Sequence, residues 1–92
     1  MDQAVIVWTD YMKYRIDLRG YNSDTIDHIV RYSQERYLDS ATGRLVAIGK
    51  HDNRIVMIPY ELQGNTMIPI TVHAKSRQQI KYRLKSGRLK YE

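Results

Sequence analysis

The stretch from Ile68 to Leu84 leaves this chain little choice in how it folds. Ile68, Ile70 and Val72 alternate with Pro69, Thr71 and His73. That period of two predicts a strand that is apolar on one face and polar on the other. The pattern then changes. Ser76 followed by Gln79 has the spacing of a capping box, in which the serine oxygen takes a free amide of the first turn and the glutamine reaches back to the serine amide. A helix over Arg77–Ser86, ended by Gly87, is therefore expected directly after the strand. His73, Lys75 and Arg77 fall where one element ends and the next begins, so their side chains are held more firmly than on a loop tip.

The preceding chain supplies the support for this segment. Ala4 to Trp8 is a short apolar run, read as a strand or an extended lead-in. Thr9 or Asp10 can cap a helix through Arg19, with Tyr11, Tyr14 and Leu18 on one face, and Gly20 suits its end. Arg15 and Arg19 are like charges at i,i+4, an unfavourable pairing that an acidic partner or ligand would offset. Asn22 or Ser23 can cap a second helix through about Ser33, burying Ile26, Ile29 and Val30. A short strand at Arg36–Asp39 and clear strands at Arg44–Lys50, Arg54–Tyr60 and Thr66–His73 come next, with turns at His51-Asp52-Asn53 and Gln63-Gly64-Asn65. Pro59 and Pro69 each lack a ladder donor, flank the second turn and are expected to face one another at a bulge. The expected fold class is α+β: two N-terminal helices, a three- to four-stranded antiparallel meander and a C-terminal helix, with the apolar faces of all three helices on the sheet. The last residues, Arg88 to Glu92, read as a basic tail.

At 92 residues one domain, 1–92, is expected. The absence of cysteine excludes disulfides and thiolate metal sites. No apolar run approaches the roughly 18–20 residues that cross a bilayer, and Met1-Asp2-Gln3 has no basic region of the secretory kind. A cytoplasmic protein without membrane partners is the simplest expectation. Fifteen Lys and Arg against ten Asp and Glu give a formal charge of +5, which favours an anionic partner, of which RNA or DNA is the common one. Eight tyrosines and no phenylalanine supply rings that can stack on unpaired bases.

There is no Gly-rich phosphate loop and no HExxH, and His28, His51 and His73 lack metal-ligand spacing. Neither a metal nor a cofactor is expected. What remains is a basic, hydroxyl-rich set suited to metal-independent RNA cleavage, in which a 2′-OH attacks the adjacent phosphorus. His73 would move protons, Arg77 and Lys75 would stabilise the phosphorane, and Lys50, His51, Arg54, Lys81 and Arg83 would hold the substrate.

Val7-Trp8-Thr9-Asp10, followed by Lys13 and then Arg19-Gly20, resembles the opening of BrnT-type toxins. Asp24 to Val30 is similar to that family's second helix, and Arg44 to Gly49 with Ile55 to Tyr60 to its hairpin. Ile70 to Arg77 looks like its strand-to-helix segment. A related uncharacterised domain family shares the Arg-Gly after the first helix and a similar hairpin. The resemblance implies a RelE-like fold and an mRNA-cleaving endoribonuclease neutralised by a small antitoxin protein. The alternative is a non-catalytic module on the same fold that binds nucleic acid or protein. Only the first requires His73, Lys75 and Arg77 to converge with Lys50 and Arg54 in one concave site.

Overall fold

A computed structural model describes residues 3–92. The chain runs β1 (Val5–Ile6), α1 (Asp10–Arg19), α2 (Ser23–Tyr32), β2 (Glu35–Asp39), β3 (Leu45–His51), β4 (Arg54–Gln63), β5 (Thr66–Pro69), β6 (His73–Lys75), α3 (Arg77–Lys85) and β7 (Leu89–Tyr91). The fold is α+β, but the expected layout of two leading helices and a three- to four-stranded meander is overturned. The sheet has seven strands and is mixed, in the order β1-β5-β4-β3-β2-β7, with β6 also paired to β4. β1 precedes the helices and lies parallel to β5, with Ile6 opposite Met67. The expected basic tail is instead β7, an antiparallel edge strand on β2. Buried Asp39 receives Arg88 through Nε at 2.7 Å and Nη2 at 3.2 Å, and this clamp brings β7 alongside β2. Among the described residues no helix is long and apolar enough to cross a membrane.

Alternation along the strands builds two cores. Ala47, Val56, Ile58, Tyr60 and Met67 point to the side covered by α1 and α2, while Val46, Ile48 and Met57 point to the side covered by α3 through Ile80. Side chains from the sheet fasten α2 at both ends. His51 Nε2 accepts from the amide of Asn22 at 2.7 Å, and Arg36 donates to the carbonyls of Val30 at 2.6 Å and Ser33 at 2.9 Å. Helix α1 departs from the expected burial. It buries Met12 and Ile16, whereas Tyr11, Tyr14 and Leu18 are 55%, 58% and 58% exposed. Two stripes competed for the core, and the shorter, wholly aliphatic one lies inward.

The expected strand Thr66–His73 is broken. Tyr60 pairs with Pro69, and Met57 pairs with His73, so Ile58 and Pro59 are opposed by three residues, Ile70, Thr71 and Val72. This is a β-bulge, in which one extra residue bends its strand and re-aims the side chains after it. The two prolines do not face one another, since Pro69 lies opposite Tyr60, but Pro59 accounts for the bulge's position. Ile70 donates to the carbonyl of Pro59 at 2.8 Å, so Pro59 turns its backbone polar edge, which lacks an N–H, toward the bulge.

Close packing of α2 on the sheet depends on Gly49. A Cβ there would lie 2.7 Å from both Cγ1 and Cγ2 of Ile29, a side chain fixed in the core. Gly49→Ala is expected to destabilise the fold by about 1–3 kcal/mol, the usual cost of overpacking. Urea denaturation measures it, and an unchanged midpoint would contradict this packing.

Candidate functional site

Beyond the bulge, β6 pairs with β4 alone among the described strands. Its pairing with β4 puts His73 opposite Met57 and Lys75 opposite Ile55, so both side chains stand on the α3 side of the sheet. Helix α3 covers only part of that side. A cavity of about 330 Å³ remains beside it, and His73, Lys75, Arg83, Arg88 and Arg44 all line it. A smaller groove of about 140 Å³ lies along β6 toward α1, lined by Arg15 and Arg19 with the same His73 and Lys75. His73 and Lys75 thus form a wall shared by two basic concavities.

Arg15 joins the two sides. It donates from Nε to the carbonyl of Val72, the last residue of the bulge, at 3.3 Å, and its Nη2 lies 3.2 Å from His73 Nδ1. A guanidinium can only donate. Nδ1 is therefore the acceptor and the imidazole carries its proton on Nε2. Burial pushes the His73 pKa below the ordinary histidine value, and the charges of Arg15, Lys75, Arg19 and Arg83 push it the same way. Both effects favour the neutral ring. Burial, followed by Arg83 and Arg88, also lowers Lys75 from the usual lysine value.

Compensation of these charges is uneven. Arg88 is held by Asp39, and Arg44 lies 3.6 Å from Glu61. Among the described residues no carboxylate pairs with Arg15, Arg19, Lys75 or Arg83. Asp39 also lines the larger cavity but is taken up by Arg88, so four cations without an ion-pair partner surround one imidazole and form a site for an anion.

The structure gathers some of the residues singled out in the sequence and scatters others. His73, Lys75 and Arg83 meet in the larger cavity. Arg77 does not. Its Nη1 is 2.5 Å from Glu35 Oε2, and the same carboxylate oxygen accepts from Tyr37. Glu35, Ile48, Met57 and His73 form one row across the sheet, so Arg77's partner sits three strand spacings, roughly 14 Å, from His73. Burial raises the Glu35 pKa, but the hydrogen bonds from Arg77 and Tyr37 outweigh it and leave it below the ordinary value. Burial and the Glu35 hydrogen bond push the Tyr37 hydroxyl up to about 12.

His51 is 6% exposed and committed to the start of α2, with its Nδ1 3.5 Å from Asp52 and without a good hydrogen bond. It is a structural histidine. Arg54 is exposed and lies 5.8 Å from the ring centre of Tyr21. Lys50 and Lys81 are exposed and line neither basic cavity. In their place stand Arg15 and Arg19 from α1, whose like-charged spacing is the one sequence signal that points to them, and Arg44 and Arg88, which have none. Among the described residues no three His, Asp or Glu side chains converge as metal ligands.

No family model, no curated protein and no solved structure matches this chain.

Removing Arg15 should raise the His73 pKa, because a nearby positive charge and a donor to the neutral ring are lost together. Nitrogen-15 NMR titration of the imidazoles in Arg15→Ala measures this, with the Nε2–H tautomer expected in the wild type. An unmoved titration would contradict the contact. The sign for stability comes from the same shift. The folded pKa lies below the unfolded value of about 6.5, so the His73 contribution is present above that pH and is lost as pH falls through the folded pKa. In His73→Gln that part of the stability curve should flatten.

Proposed function

We propose that this protein binds single-stranded RNA, seating a backbone phosphate in the cleft formed by His73, Lys75 and Arg83. The observation that carries the reading is that unpaired cations line both sides of β6 around a neutral imidazole. Lys75 and Arg83 supply point charge and directed donors, and His73 Nε2–H supplies a further donor to a phosphate oxygen. The opening beside α3 leaves the strand face accessible without unfolding any element. The +5 charge of the chain supports the choice of a polyanion.

RNA cleavage by attack of a 2′-OH is the second reading, in which a small antitoxin protein is the partner that covers the cleft. The specific observation in its favour is that a neutral His73 shares one cavity with Lys75 and Arg83, which can hold charge on a phosphorane. Against it, Nδ1 is occupied by Arg15, so Nε2 would have to give up its proton before it could act as a base. Binding is therefore the better-supported activity.

Fluorescence anisotropy of a labelled single-stranded oligoribonucleotide, at low and at physiological salt, tests both. Affinity should fall as salt rises, and each phosphate contact removed should lower the slope of log K against log salt by roughly 0.7. Lys75→Ala with Arg83→Ala should weaken binding about tenfold or more, whereas Arg77→Ala and Lys81→Ala should change it little. No binding at low salt would overturn the RNA reading. Scission of the same oligonucleotide in EDTA, lost in a folded His73→Ala variant, would establish cleavage.

A further inference from the structure

The exposed stripe on α1 has no role in the core and lies beside the unpaired arginines. Tyr11, Tyr14 and Leu18 are each more than half exposed, and the two tyrosine rings are 6.4 Å apart, tilted by 42°. At 100° per residue, Arg15 and Arg19 sit between this stripe and the buried Met12 and Ile16. Arg15 is one turn from Tyr11 and touches His73 through its guanidinium. One helix therefore presents, in order around its circumference, a core stripe, a cationic stripe that reaches the phosphate cleft, and an aromatic stripe facing solvent.

We propose that Tyr11 and Tyr14 form a stacking platform for the bases of the strand whose phosphates Arg15 and Arg19 track toward the His73 cleft. The proposal rests on the RNA-binding reading above and adds where the bases go. Two arguments select an unpaired nucleic acid as the occupant. First, the edge of the apolar stripe nearest the His73 cleft carries two arginines that no carboxylate among the described residues neutralises, while exposed Asp10 and Asp17 lie on the opposite edge. Charge on the cleft side suits a polyanion. Second, a tyrosine ring offers every base a π-face, which tolerates sequence and requires unstacked bases. Stacking also accounts for two aromatic rings left in water at one-turn spacing, where a solvated helix face would carry charges. The phenol hydroxyls are not needed for this, so the rings alone carry the prediction.

The test compares two ligands on the full chain. One is a labelled oligouridylate. The other is an abasic oligoribose phosphate of equal length, which keeps the charges and lacks the bases. Tyr11→Ala with Tyr14→Ala should weaken oligouridylate binding by at least about 5-fold, the lower end for losing a single base–aromatic stack. Binding of the abasic strand should stay within about twofold, and the salt slope should not change. Tyr11→Phe with Tyr14→Phe should retain wild-type affinity for both. Because these side chains are exposed, circular dichroism of all variants should match the wild type. Equal oligouridylate binding by the alanine variant and the wild type would overturn the platform and leave the phosphate cleft standing. Equal loss of both ligands would also overturn it, since the stripe would then act through charge or structure. Failure of the wild type to bind either ligand would overturn the underlying RNA reading. A concentration-dependent dimer by light scattering, abolished in the alanine variant, would assign the stripe to self-association and overturn the proposal.

Discussion

The contact from Arg15 to the backbone of Val72 and the ring of His73 is the interaction on which the site depends. A bulge frees carbonyls and sends the next residues in a new direction, and something has to take both up. Here a cation from the first helix does so across 57 residues of sequence. The consequence is electrostatic as well as structural. Burial lowers the His73 pKa most, the charge that closes the bulge adds to that shift, and Arg15 brings the cationic stripe of α1 to the same edge as Lys75 and Arg83.

Elements that are specified locally were legible in the sequence. The capping box at Ser76 and Gln79 is formed in both directions, and Thr9 and Asn22 cap their helices as hydroxyl and amide side chains should. Gly20 ends α1 with φ of 70°. Pairings specified by distant partners were not legible. The run Ala4 to Trp8, read as a strand or an extended lead-in, does hold β1, but its parallel place beside β5 has no local signal, and β7, read as a tail, depends on Asp39 holding Arg88. The bulge could be anticipated from two prolines flanking a turn, but its effect on His73 depends on Arg15.

The site was legible in part for the same reason. His73 and Lys75 are expected from their place at a strand end, and Arg83 from the basic helix. Arg77 is near them in sequence, but its guanidinium is turned away to Glu35, at the other end of a cross-sheet row from His73. Composition shows how many cations there are. Only the fold shows which of them gather without a carboxylate. Lys50, Arg54 and Lys81 also lack an ion-pair partner among the described residues, but Arg15, Arg19, Lys75 and Arg83 are the unpaired ones that line the two concavities walled by His73 and Lys75.

The central claim is that the anion site is built where the bulge and α1 meet. Chemical-shift mapping of the labelled protein with a short single-stranded RNA tests it most directly. The account predicts that perturbed backbone amides and arginine side chains cluster at residues 70–75, at Arg83 and along the Arg15–Arg19 side of α1. Perturbations centred instead on Lys50 to Arg54, or on Arg77 and Lys81, with the bulge unaffected, would contradict it.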